Sequence, residues 1–134
     1  MKFKYKRYGN GKYLRPVIPI VLENGGNKIG YEVLVDSGAD FCIFDAQIGE
    51  AIGIDVLRGA PKEVFGIGGK AAIYYMHRVT ITIGAISYEI EAGFMPSVGG
   101  RVAQYGVVGQ KGFFDAFIVQ FDFAAEEVAL KIRK

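Results

Sequence analysis

Glycine and proline cut this chain into short apolar runs, and that punctuation constrains the fold more than any other feature. With 19 Gly in 134 residues, glycine stands at roughly twice its average usage of about 7%. An amphipathic helix needs a 3.6-residue apolar period sustained over about ten residues, and no stretch here sustains one for long. Strands need only four to eight residues between turn signals, and the chain supplies such runs repeatedly. Thr80-Ile81-Thr82-Ile83 alternates with period two, Gly84-Ala85 fits a two-residue hairpin loop with glycine first, and residues 86–94 form the partner strand. Asn24-Gly25-Gly26-Asn27 supplies another turn, between residues 13–22 and 29–35. The pattern predicts an all-β chain.

The remaining segments fit the same reading. Residues 3–8 interleave Lys and Arg with Phe3, Tyr5 and Tyr8, as in an edge strand whose charges discourage further pairing. A basic arm for RNA or lipid is the alternative there. Pro16 and Pro19 place residues 13–22 at an edge or bulge, because proline cannot donate to a ladder. Residues 41–44 form a short strand, after which Asp45 caps a brief helix through Ile48 and Ile52, closed by Gly53. Two strands within residues 63–75 meet across Gly66-Ile67-Gly68-Gly69-Lys70. Tyr105-Gly106-Val107-Val108-Gly109 is a second apolar run ending in glycine, and Phe113, Phe114 and Phe117 fall on one face of a second short helix. Residues 118–123 and 128–132 read as a final hairpin.

Size and composition close off several function classes. At 134 residues the chain makes one domain, 1–134, and 51% apolar content suffices for a core without disulfides or metals. A net charge of +2 gives no argument for a nucleic-acid or membrane partner. Cys42 is the only cysteine, which excludes an internal disulfide and a cysteine-rich zinc site. His77 is the only histidine, so Ser-His-Asp or Cys-His chemistry would have to use it, and Met76-His77-Arg78 carries no nucleophile signature. No metal and no cofactor are expected. The start of the chain lacks a signal peptide's apolar stretch, and no run approaches the ~18 residues of a membrane span. The expectation is a soluble, cytoplasmic protein.

Chemistry concentrates in Val33-Leu34-Val35-Asp36-Ser37-Gly38-Ala39-Asp40. A carboxylate directly after a buried strand is expensive unless it is satisfied or has a function, and the run before Asp36 places it deep. An Asx-turn ending the strand is the plain structural alternative. The glycine-rich tip about 30 residues downstream and the later Val107-Val108-Gly109 weigh against a mere turn. Peptide hydrolysis without metal, His or Cys needs a base for water and a donor for the developing oxyanion, and two facing carboxyls sharing a proton supply both. Of the six Asp, only Asp36 is followed by Ser-Gly, so such a pair must come from two chains related by a two-fold axis.

The order of these strings resembles the retropepsin-like aspartic proteases over about residues 13–123. Asp36-Ser37-Gly38-Ala39 matches their Asp-Thr/Ser-Gly-Ala signature, Phe65-Gly66-Ile67-Gly68-Gly69 looks like their flap, and Val107-Val108-Gly109 looks like the string supporting the catalytic loop. Phe113-Phe114-Asp115 and Val119-Gln120-Phe121-Asp122 look like non-viral members. The resemblance implies the acid protease fold: a closed β-barrel with a flap hairpin and one or two short helices, active as a homodimer on peptide or protein substrates. It makes Asp36, Ser37 and Gly38 catalytic, with Ser37 bonding across the dimer axis. Ala39, Asp40, Gly66, Ile67, Gly68, Gly69 and Val108 would bind substrate. It also implies an optimum at mildly acidic pH, because Ala39 lacks a hydroxyl that would favour the ionised carboxyl. The family's Arg partner for Asp40 is replaced by Gln110-Lys111, and Lys lacks Arg's bidentate fork. The terminal strands could build a dimer sheet, as in retroviral relatives. A catalytically silent dimerisation or peptide-binding module is the alternative from another class, and a monomeric β-barrel binding protein a third.

Overall fold

The protein is described by a computed structural model covering residues 1–65, 71–96 and 106–133. The expected flap tip, Gly66, Ile67, Gly68 and Gly69, lies outside the described residues. Among these described residues twelve strands follow one another: β1 (Lys2–Lys4), β2 (Lys6–Tyr8), β3 (Tyr13–Arg15), β4 (Val17–Asn24), β5 (Asn27–Val35), β6 (Ile43–Asp45), β7 (Ala60–Phe65), β8 (Ala71–Ile83), β9 (Ile86–Met95), β10 (Gly106–Val108), β11 (Phe117–Asp122) and β12 (Glu127–Ile132). One α-helix, α1 (Ala46–Ala51), and a 3-10 turn at Val56–Arg58 complete the described elements. No helix among the described residues is long and apolar enough to cross a membrane.

The turns form where glycine permits them. Gly25 and Gly26 join β4 to β5 with φ of 56° and 89°, and Gly84 opens the β8–β9 turn at 59°, a left-handed region that other residues enter at a cost. Seven strands make the main sheet in the order β4-β5-β10-β6-β9-β8-β7, and β4 also pairs with β8 through Val21↔Thr82, Leu22↔Ile81 and Glu23↔Thr80. The sheet therefore folds back on itself around its apolar face. Ile18, Leu22, Val33, Phe44, Ile81, Ile83, Phe94, Phe113 and Phe117 fill that interior, each at most 1% exposed. Pro16 falls in the break between β3 and β4, where its carbonyl accepts the Val35 N–H at 2.9 Å, and Pro19 points outward.

Asp45 caps α1 as expected, its carboxylate accepting the Gln47 N–H at 2.8 Å, and Gly53 at φ 85° follows the helix. The second expected helix does not form. Phe113 and Phe117 are buried and Phe114 half-buried, but the segment is a chain of turns. Phe114 N–H bonds Gly109 O at 3.2 Å and Asp115 N–H bonds Gln110 O at 3.1 Å, while Ala116 N–H returns to Phe113 O at 3.0 Å. Gly112 at φ 100°, with its N–H held by Asp115 Oδ1 at 3.1 Å, prevents a regular helix from starting there.

The basic N-terminus also differs from a single edge strand. It splits at Tyr5: β1 pairs with β12, and β2 pairs with β3. A three-stranded sheet ordered β1-β12-β11 results, so the C-terminal strand has a strand of its own chain on each side.

Candidate active site

Two apolar strands of distant sequence run side by side and deliver the site. β5 and β10 are parallel, with Gly106↔Val33, Val107↔Leu34 and Val108↔Val35. Where β5 ends, the Asp36 N–H donates to Val108 O at 3.0 Å. The chain then turns sharply. Ala39 N–H bonds Asp36 O at 3.2 Å, and Gly38 N–H donates to the Asp36 carboxylate, at Oδ1, at 2.9 Å. This is the geometry of an Asx-turn, and it brings a main-chain donor onto the carboxylate. Asp36 is half-buried rather than deep, because it stands just beyond the end of β5 on the open side of the turn, and Ser37, Gly38 and Asp40 are exposed.

The segment after β10 closes on this turn from the other side. Gln110 N–H bonds Ala39 O at 2.8 Å, Lys111 N–H bonds Asp40 O at 2.9 Å, and Phe41 and Lys111 form a parallel bridge. Gly109 makes the approach possible: a Cβ there would stand 2.6 Å from Phe41 O and closer still to Ala39 O. Gly106 is equally pinned, since a Cβ would meet the Tyr31 ring at 2.6 Å and Phe44 at 2.9 Å. Val108 is fully buried, and it is its carbonyl that touches the loop.

Sequence reasoning missed Gln110. Its side-chain amide donates to Ser37 O, tying the middle of the turn to the supporting strand. The available signal was the residue type, because Gln, like the Arg it replaces, carries N–H donors. Asp40 has no ion pair with any cation among the described residues. Its charge is felt instead by Tyr74, whose hydroxyl pKa is raised first by burial and then by Asp40. Beneath the loop, Cys42 is fully buried and bonds Lys111 O at 3.5 Å, and burial pushes its thiol up to about 12. His77 bonds Val56 O at 2.7 Å and stacks edge-on against Phe94, a structural role. No group of three or more potential metal ligands is gathered among the described residues.

A mixed sheet that folds back on itself and presents an Asp-Ser-Gly turn clasped by a parallel apolar strand defines a retropepsin-like fold. The chain belongs to the aspartyl protease family, whose model matches residues 20–111, well over half its length. Among solved structures it is similar to a retropepsin-like aspartic protease from Rickettsia conorii, with a TM-score of 0.66 at 14% identity, covering 97% of this chain and 89% of that one. It also aligns with the EIAV protease solved with an inhibitor, with a TM-score of 0.48 at 19% identity over 78% of this chain and 88% of the other. No curated protein matches its sequence.

Proposed function

We propose that the chain is an aspartic endopeptidase that acts as a two-fold homodimer and cleaves extended peptides. A water held between two Asp36 carboxyls, one from each copy, attacks the scissile carbonyl. One carboxyl takes the water proton while the other, protonated, donates to the carbonyl oxygen; two like charges about 3 Å apart cannot both ionise easily, which keeps a proton on the pair. The observation that carries this reading is the clasp itself. Six main-chain and side-chain bonds from the Val108–Lys111 segment and from within the turn fix residues 36–40, while the carboxylate stays partly open at the sheet's end. A turn with no task beyond reversing the chain needs no such support.

In this reading Ser37 bonds across the axis, Gly38 lets the main chain reach the carboxylates, and Ala39 and Asp40 meet the substrate main chain. Gly66, Ile67, Gly68 and Gly69 close over the peptide, Val108 supports the catalytic turn through its carbonyl because its buried side chain cannot meet the substrate, and residues 1–134 act as one domain. The test is a peptide-library cleavage assay from about pH 3 to 7, with sedimentation at the same protein concentration. Wild type should cleave as a dimer, and Asp36→Asn should lose at least about 10³-fold in kcat. Activity retained by a monomer would overturn the mechanism. Wild type and Asp36→Asn equally inert, yet both binding peptide, would make the chain a silent binding module.

A further inference from the structure

A cavity of about 400 Å³ opens beside the clasp, with Phe41, Lys62 and Lys111 on its wall. Phe41 leaves the Asp36 turn, Lys62 lies on β7, and Lys111 follows Gln110. Lys62 Nζ stands 4.4 Å from the Phe41 ring centroid and Lys111 Nζ 5.7 Å from it. Two ammonium groups thus converge on one ring, where each gains from the π-system and both repel each other. Neither has a carboxylate within ion-pairing distance among the described residues. The acids of the same cavity are engaged elsewhere: Arg78 pairs with Glu89 at 3.3 Å and Glu91 at 3.8 Å, and Asp115 holds the Gly112 N–H. Lys62 and Lys111 are thus cations of this cavity without an ion pair, and its three carboxylates, Glu89, Glu91 and Asp115, all stand beyond ion-pairing distance of them.

We propose that this cavity is a specificity subsite that takes an acidic side chain of the peptide substrate, a reading that rests on the peptidase function above. A carboxylate between Lys62 and Lys111 would relieve their repulsion, and the aliphatic part of a Glu side chain would lie on Phe41. Strand geometry sets the position. A peptide advances about 3.3 Å per residue, and Lys62 is three strand residues from Phe65 at the end of β7. Phe41 is five residues from Asp36 around a tight turn. Both separations in sequence set the cavity away from the Asp36 carboxylate, so the acidic residue belongs beyond the positions next to the scissile bond, and the third and fourth positions on either side are the ones to test.

The test uses peptide pairs that differ only by Glu or Gln at those positions, cleaved by wild type, Lys62→Met and Lys111→Met. Wild type should favour the Glu peptide by about fivefold in kcat/KM, a preference, taken as the Glu-to-Gln ratio within each protein, that either variant and about 0.5 M salt should erase. No preference in wild type, or one that survives in both variants, overturns the subsite. If wild type cleaves neither peptide, the peptidase reading fails by itself and binding decides the subsite. Asp36→Asn protein should then hold the Glu peptide about fivefold more tightly than the Gln peptide, and the additional Lys62→Met change should remove the difference. Equal binding of the two peptides overturns the proposal.

Discussion

The turn at Asp36 and the sheet of the chain's two ends are both built where strands stop, and they are held in opposite ways. At the turn most ties are main chain to main chain, and the two that use a side chain, Gln110 to Ser37 O and Gly38 N–H to the Asp36 carboxylate, each have the main chain at one end. The terminal sheet is backed by Val128 and Leu130, but at its edge it adds charged pairs on the surface, Lys4 to Glu127 at 3.6 Å and Arg7 to Glu126 at 3.2 Å. Main-chain ties do not depend on which side chains neighbour them, but they fail wherever a Cβ intrudes. Charged pairs tolerate substitution because water replaces the lost partner. The turn is therefore sensitive at its glycines and the terminal sheet is tolerant almost everywhere on its outer face.

Gly109→Ala gives the largest expected effect. The new Cβ meets two carbonyl oxygens of the turn, and main chain cannot swing aside as a side chain can. We expect a loss of about 3 kcal/mol in chemical denaturation together with loss of peptide cleavage. If Gly109→Ala unfolded like wild type, the close packing of the two segments would not be what holds the turn.

Cys42 sharpens the comparison from beneath the turn. Its thiol, raised from 9.0 to about 12, first by burial and further by the charge of Asp115, stays protonated in the fold at pH values where the unfolded chain ionises. The stability tied to that thiol is complete below about pH 9 and is lost as pH rises toward 12. Tyr31, raised to about 12 by burial, acts in the same direction, so the readout is the difference between proteins. Between pH 9 and 10.5, wild type should lose about 2 kcal/mol more than Cys42→Ala. Parallel pH profiles for the two would count against a buried thiol there.

Much of this was legible in the sequence. Gly25, Gly26 and Gly84 marked turns because the left-handed backbone they adopt suits glycine, and Asp45 marked a helix start because its short carboxylate reaches back to a backbone N–H. Val33-Leu34-Val35 and Val107-Val108-Gly109 were recognisable as partners only through their order. What stayed hidden depends on contacts between distant residues. Periodicity placed Phe113, Phe114 and Phe117 on one helical face, but their burial is achieved by turns that Gly112 imposes. The split of the N-terminal strand at Tyr5 follows from β12, more than 120 residues away, taking β1 as a neighbour. Gln110 read as the loss of an arginine until its amide was seen on Ser37 O.

Gln110→Glu tests whether that amide positions the turn or merely decorates it. The substitution keeps size and shape but replaces the donor with a carboxylate, which cannot bond a carbonyl and repels Asp36 across the turn. Ser37 is exposed, so water can satisfy its carbonyl, and the stability change should stay within about 1 kcal/mol. Catalysis should respond more, with kcat falling about tenfold and KM little changed, because the reacting carboxyls depend on how the turn is held. The Arg7→Ala variant is the control from the other region: its pair to Glu126 has side chains 58% and 40% exposed, and losing it should cost at most about 0.5 kcal/mol with kcat unaltered. If Gln110→Glu behaved like Arg7→Ala in both measurements, the side-chain tie would belong with the surface pairs, and the turn would rest on its main-chain bonds alone.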